Sequence, residues 1–162
     1  MDKKSWERIR TPGYQIRRLH QLSVAVFLDC LQHVNLTPIQ YTILVIIDME
    51  PGVEQTSIAS RAGLDASTVA DVVKRLVKHG MIKREVGIRD KRSRVAFITS
   101  SGKAAITDAA PLIEDAIQNM LSPLASDEQQ NFLSMIDRIL THNTSEKLVS
   151  TDGRPWQREL RS

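Results

Sequence analysis

From Tyr14 to His33 apolar positions recur at helical spacing with no internal breaker, and the second half, LSVAVFLDCL, is apolar almost all round. A helix on the outside of a small domain shows one apolar stripe. One that is apolar on several sides needs a second surface to cover it, which points to a dimer. TPIQ at 37–40 carries helix-start signals: Thr37 as cap, Gln40 to close a capping box, and Pro38 in the first turn. That second helix continues through YTILVII and stops before EPG at 50–52. A short third helix over SIASRA, capped by Thr56, ends at Gly63. After a GLD turn, Asp65 caps a fourth helix, ASTVADVVKRLVKH, which Gly80 closes in the left-handed region. Val69, Val72, Val73, Leu76 and Val77 form its expected buried stripe.

The period then changes. MIKREV sets Ile82, Arg84 and Val86 against Lys83 and Glu85, and RVAFIT sets Val95 and Phe97 against Ala96 and Ile98. Two short strands therefore flank GIRDKRS as a hairpin. A fifth helix is expected from Ser101 to Leu121. A sixth starts at a capping box, SDEQ (126–129), and carries Phe132, Leu133, Ile136, Ile139 and Leu140. The expected fold is mainly α with a small β-hairpin, a winged helix-turn-helix between N- and C-terminal dimerisation helices. The chain divides into an arm with the first dimerisation helix (1–35), the winged helix-turn-helix (36–100), the C-terminal dimerisation helices (101–141) and a polar tail (142–162).

Composition narrows the chemistry. Aromatic residues make up 4% of the 162, so the core must be aliphatic. One cysteine, Cys30, excludes an intramolecular disulfide. The charged N-terminus lacks the apolar run of a signal peptide, and no stretch is apolar for the length of a membrane span. The expectation is a cytoplasmic protein with no membrane partner. His20, His33, His79 and His142 are scattered, without a metal-ligand cluster, nucleophile elbow or phosphate loop, so neither an enzyme nor a cofactor is expected.

Charge is where the chain departs from the ordinary. Residues 74 to 94 hold nine Lys or Arg against two acids, a net +7, so the rest of the chain carries −4 of the total +3. Such segregation is an electrostatic footprint for a polyanion. A solvated helix face or a basic loop tip alone would mean little. Here both occur in the order of a DNA-reading unit, residues 56 to 98, whose second helix enters the major groove. Ser67 and Thr68 suit base edges or phosphates, while Lys74, Arg75 and Lys78 suit the flanking phosphates. The tip, with Arg89, Asp90, Lys91, Arg92 and Arg94, would lie beside the minor groove.

The strings LTPIQYTIL, LDASTVADVVKRLVKHGMIKR and RDKRSRVAFITSSGKA resemble the multiple-antibiotic-resistance regulator (MarR) family over roughly residues 14 to 140. The most specific part is the wing D-x-R, Asp90 and Arg92, followed by T-x-x-G from Thr99 to Gly102. The resemblance implies a homodimer built from the first and last helices and a pseudo-palindromic double-stranded DNA operator. It also implies that Arg92 enters the minor groove while Asp90 orients its basic neighbours. Asp71 departs from the neutral or basic group the family often carries there. Its carboxylate either accepts from cytosine N4 or turns to pair with Lys74 or Arg75, the second being the expectation.

Two inputs compete. An oxidant would act through Cys30, yet nothing beside it in the sequence promises a lowered thiol pKa. An organic acid would need a cation, and GYQIRRLHQ supplies Tyr14, Arg17, Arg18 and Gln21 near the cleft between dimer helices and reading unit, unless these arginines bridge to a partner subunit. The segment resembles regulators of aromatic-acid catabolism, which implies an aromatic acid or its CoA thioester as effector. A non-specific architectural DNA binder is the remaining alternative.

Overall fold

The computed structural model describes residues 10–87 and 94–144. The wing-tip residues Arg89, Asp90, Lys91 and Arg92 lie outside the described residues.

Helix α1 spans Pro12–Leu31, with Thr11 as its cap, and runs into a short 3-10 turn at Gln32–Val34. Helix α2 (Pro38–Met49) starts with the expected capping box: the Gln40 N–H donates to Thr37 Oγ1 at 3.3 Å, and the Thr37 N–H donates to Gln40 Oε1 at 2.8 Å. Its Ile43, Leu44 and Ile47 are fully buried.

Strand β1, Val53–Glu54, follows a turn at Pro51 and Gly52. It pairs antiparallel with β3 (Arg94–Ile98), which pairs on its other side with β2 (Ile82–Val86), giving the order β1-β3-β2. The wing is therefore a three-stranded sheet rather than a bare hairpin. Only Ile82 of β2 and Ala96 of β3 are buried, which assigns the Ala96 side of the β3 alternation to the core. Ala96 faces the core because it stands opposite Val53 of β1, which is also buried.

Because β1 holds Glu54 extended, helix α3 begins directly after it, at Gln55, and ends at Ala62. Thr56 lies inside this helix and does not cap it; the cap position is Glu54, which makes no side-chain capping bond. Gly63 turns the chain with φ 63°. Helix α4 (Ala66–Lys78) is capped by Asp65 and stopped by Gly80 at φ 70°. Val69, Val72, Val73 and Leu76 are buried as expected, but Val77 is 38% exposed. Its position puts it beyond the edge of the stripe, towards the outer face.

Helix α5 runs over Ser100–Leu121, capped by Thr99. Helix α6, Ser126–Thr144, opens one residue out of the expected register. The Ala125 N–H donates to Glu128 Oε2 at 2.8 Å, while Gln129 turns back to donate to the carbonyls of Leu121 and Leu124 at 3.2 and 3.0 Å. The core is aliphatic, formed by α2, α3, α4, β1–β3 and the flank of α5, and α1 adds the fully buried Leu31 to it. Helix α6 adds nothing to that buried cluster: Leu133, Met135, Ile139 and Leu140 are each more than half exposed.

Two elements meet closely where the wing returns. Thr99 Oγ1 lies 2.7 Å from the Gly80 carbonyl and 2.9 Å from that of Met81, and it accepts from the Gly102 N–H at 3.2 Å. The Thr99 N–H also donates to Met81 O at 3.0 Å. The first turn of α5 is thus pinned to the end of α4. Among the described residues no single helix is long and apolar enough to cross a membrane.

Candidate nucleic-acid interface

Helix α4 has one strongly apolar side and one strongly polar side, because its valines and Leu76 recur every three or four residues and leave the opposite face to polar groups. On that outer face Asp71, Lys74, Arg75 and Lys78 line one shallow groove, and all four are exposed. Ser67 continues the same face one turn earlier, with Thr68 half-buried beside it.

Asp65 organises the start of this face. Its carboxylate accepts from the Thr68 N–H at 2.8 Å, from Thr68 Oγ1 at 2.6 Å and from the Ser67 hydroxyl. Hydrogen bonds from Ser67 and Thr68 hold its carboxyl well below the usual carboxylate range. The sequence reading gave Asp65 only a capping role. The spacing Asp-x-Ser-Thr was the available signal, since short polar side chains beside a cap compete for it.

The expected Asp71 ion pair is absent. Among the described residues the Asp71 carboxylate pairs with neither Lys74 nor Arg75; Arg75 Nε instead donates to the Asp71 backbone carbonyl at 3.4 Å. The reason is geometric, for a guanidinium one turn ahead reaches the main chain as readily as the side chain.

The basic segment is also less free than its composition implied. Lys83 pairs with Glu85 at 2.8 Å and sits 5.3 Å from the centre of the Phe97 ring. Arg84 donates to Gln55 Oε1 at 3.3 Å and so ties β2 to the start of α3. These two cations brace the wing. Arg94 is exposed at the start of β3, opposite Val86.

The second candidate set lies on α1. Tyr14, Arg17, Arg18 and Gln21 recur at helical spacing and so share one face. Tyr14 is half-buried, the other three are exposed, and neither arginine forms an ion pair within the described residues. Cys30, near the end of the same helix, is partly buried, and its thiol pKa is raised by burial and by the adjacent Asp29 carboxylate.

Residues 36–93 match the model of the MarR family. The transcriptional regulator HosA of Escherichia coli is 28% identical over 127 residues, spanning 78% of this chain and 93% of HosA. The PcaV transcriptional regulator from Streptomyces coelicolor, in complex with its natural ligand, is 32% identical with a TM-score of 0.74, covering 82% of this chain and 93% of its own. The transcriptional repressor CouR, bound to a 23-mer DNA duplex, is 28% identical with a TM-score of 0.79, covering 86% of this chain and 99% of its own. With a capped reading helix, a braced wing and these relatives, the chain is a DNA-binding transcription regulator of the MarR family.

Proposed function

We propose that the protein is a ligand-responsive repressor that binds a pseudo-palindromic operator as a homodimer. The observation that carries this reading is the outer face of α4, where Ser67, Asp71, Lys74, Arg75 and Lys78 stand exposed in one row over a buried valine stripe. A face of this kind suits the major groove, with phosphates flanking its cationic end. Arg94 and the tip residues Arg89, Asp90, Lys91 and Arg92 then serve the adjacent minor groove, Arg92 inserting and Asp90 orienting its neighbours. A homodimer is supported by the exposed apolar residues of α1 and α6, among them Ile16, Leu22, Leu133 and Ile139, which a second copy would cover. CouR was captured on a DNA duplex, which lends weight to the same mode here.

The effector in this reading is an aromatic carboxylate or its CoA thioester, with Arg17 or Arg18 pairing to the acid and Tyr14 and Gln21 beside them. An anion entering an aliphatic cleft needs a cation, and these arginines have no acidic partner of their own in the described residues. PcaV binds its natural ligand on a similar frame. Release follows if the ligand favours a dimer geometry whose reading helices are wrongly spaced for DNA, since equal binding to both states would shift nothing.

Gel shifts on the DNA upstream of the protein's own coding sequence, against random DNA at several salt concentrations, test the operator. Benzoates, hydroxycinnamates and their CoA thioesters are then added to the bound complex. Equal affinity for both DNAs would favour an architectural binder. Release that Arg17→Ala and Arg18→Ala both leave unchanged would remove the arginines from the ligand site.

A further inference from the structure

Asp65 does more than cap α4. It accepts the hydroxyl protons of both Ser67 and Thr68. A hydroxyl has one proton to give. With that proton committed to a carboxylate, each oxygen turns only lone pairs outward. Asp71, one turn along the same face, is a carboxylate without an ion-pair partner among the described residues, and it too offers lone pairs alone. Lys74, Arg75 and Lys78 occupy the next turns and offer donors alone. The outward face of α4 is therefore split along its length, acceptors first and donors after.

We infer that this split dictates the bases read: the first two turns of α4 take amino-bearing bases, adenine or cytosine, and Asp65 is the positioning residue that enforces the choice. The inference rests on the proposed DNA-reading role of α4. In the major groove the only base-edge donors are adenine N6 and cytosine N4, whereas guanine N7 and O6, thymine O4 and every phosphate oxygen accept. Serine and threonine commonly donate to phosphate. Here that use would exchange a charge-assisted bond to Asp65 for one to phosphate and would bring the two anions together. Ser67 and Thr68 are thereby turned from backbone contacts into base contacts.

The test is a selection of bound duplexes from a pool with randomised half-sites, run with wild type and Asp65→Asn. Asparagine caps a helix as well as aspartate does. Its oxygen still accepts the Thr68 N–H, but its amide group donates where the second carboxylate oxygen accepted, which returns a hydroxyl proton to the DNA side. Wild type should favour adenine or cytosine at the positions under the start of α4 by on the order of tenfold, and Asp65→Asn should lose that preference at the base under Thr68, whose proton is freed, and admit guanine or thymine there.

A second measurement needs only wild type. Replacing the favoured adenine by purine, or cytosine by 2-pyrimidinone, removes the amino group and should weaken binding on the order of tenfold. Replacing adenine by 7-deazaadenine should not. Unchanged base preference in a folded Asp65→Asn, or indifference to loss of the amino group, overturns the inference. Failure of wild type to enrich any sequence overturns the DNA-reading role of α4 itself, and the inference with it.

Discussion

The Cys30 thiol donates to the carbonyl of Phe27 at 3.4 Å, one turn back along α1. Burial and the Asp29 carboxylate both raise its pKa, so the thiol stays protonated at neutral pH, and the thiolate is the reactive form. Cys30→Ser is expected to keep operator binding and release by the inducer. Gel shifts before and after mild peroxide check this. Loss of binding in wild type that Cys30→Ser escapes would move the switch to the thiol.

Gly102 has no room for a side chain. A methyl group there would stand 2.2 Å from Met81 O and 2.7 Å from Ile98 Cγ1, and the backbone oxygen does not give way cheaply. Gly102→Ala should therefore destabilise the fold by roughly 1–3 kcal/mol, the usual cost of overpacking. Urea unfolding measures it, with Ala104→Ser on the exposed side of α5 as a control expected near zero.

The apolar side of α6 should hold two copies together. Leu133 and Ile139 are 51% and 59% exposed, and burying the remaining half of each against a partner contributes about 1 kcal/mol. Wild type should sediment as a dimer at micromolar concentration, and Leu133→Asp with Ile139→Asp should give a monomer that binds the operator weakly. A monomeric wild type would end this account of the interface.

The donor half of α4 and the wing should separate by salt. Lys78→Ala is expected to weaken binding equally on all sequences and to reduce the slope of log affinity against log salt by about 1. Arg92→Ala should cost more affinity, through loss of a groove contact. Affinities measured at four salt concentrations distinguish the two, and wild-type affinity for Arg92→Ala would remove the wing from the interface.

Asp65 predicts an acid limit to the α4 cap. Its carboxyl pKa is lowered in the fold by Ser67 and Thr68. The cap's contribution is then fully present above the pKa of an unfolded aspartate. It shrinks as the pH falls below that value, and it is gone below the lowered one. The melting temperature of wild type should exceed that of Asp65→Ala by a constant margin near neutrality, and the margin should close only in strong acid. A margin that already varies around neutral pH would mean another group supports the cap.

Local rules were the legible part of the chain. The Thr37–Gln40 box, the Asp65 cap and the valine stripe of α4 depend on residues within a turn of each other, and they stand as read except for Val77. What failed depends on distant partners. Two residues, Val53 and Glu54, carry no pattern of their own and become a strand only because β3 lies beside them; that pairing also displaced the expected Thr56 cap. At the interface, the row from Ser67 to Lys78 was readable from spacing. The polarity of its hydroxyls was not, because it depends on where one carboxylate points.

The pinning of Thr99 to Gly80 and Met81 makes α4 and α5 one lever. With 22 residues, α5 is about 33 Å long, so a change of about 5° in its direction displaces one end by about 3 Å relative to the other. That is close to the spacing of successive bases along a DNA strand, about 3.4 Å. A tilt of about 5° about the far end of α5 would therefore carry the reading helix almost one base along the DNA.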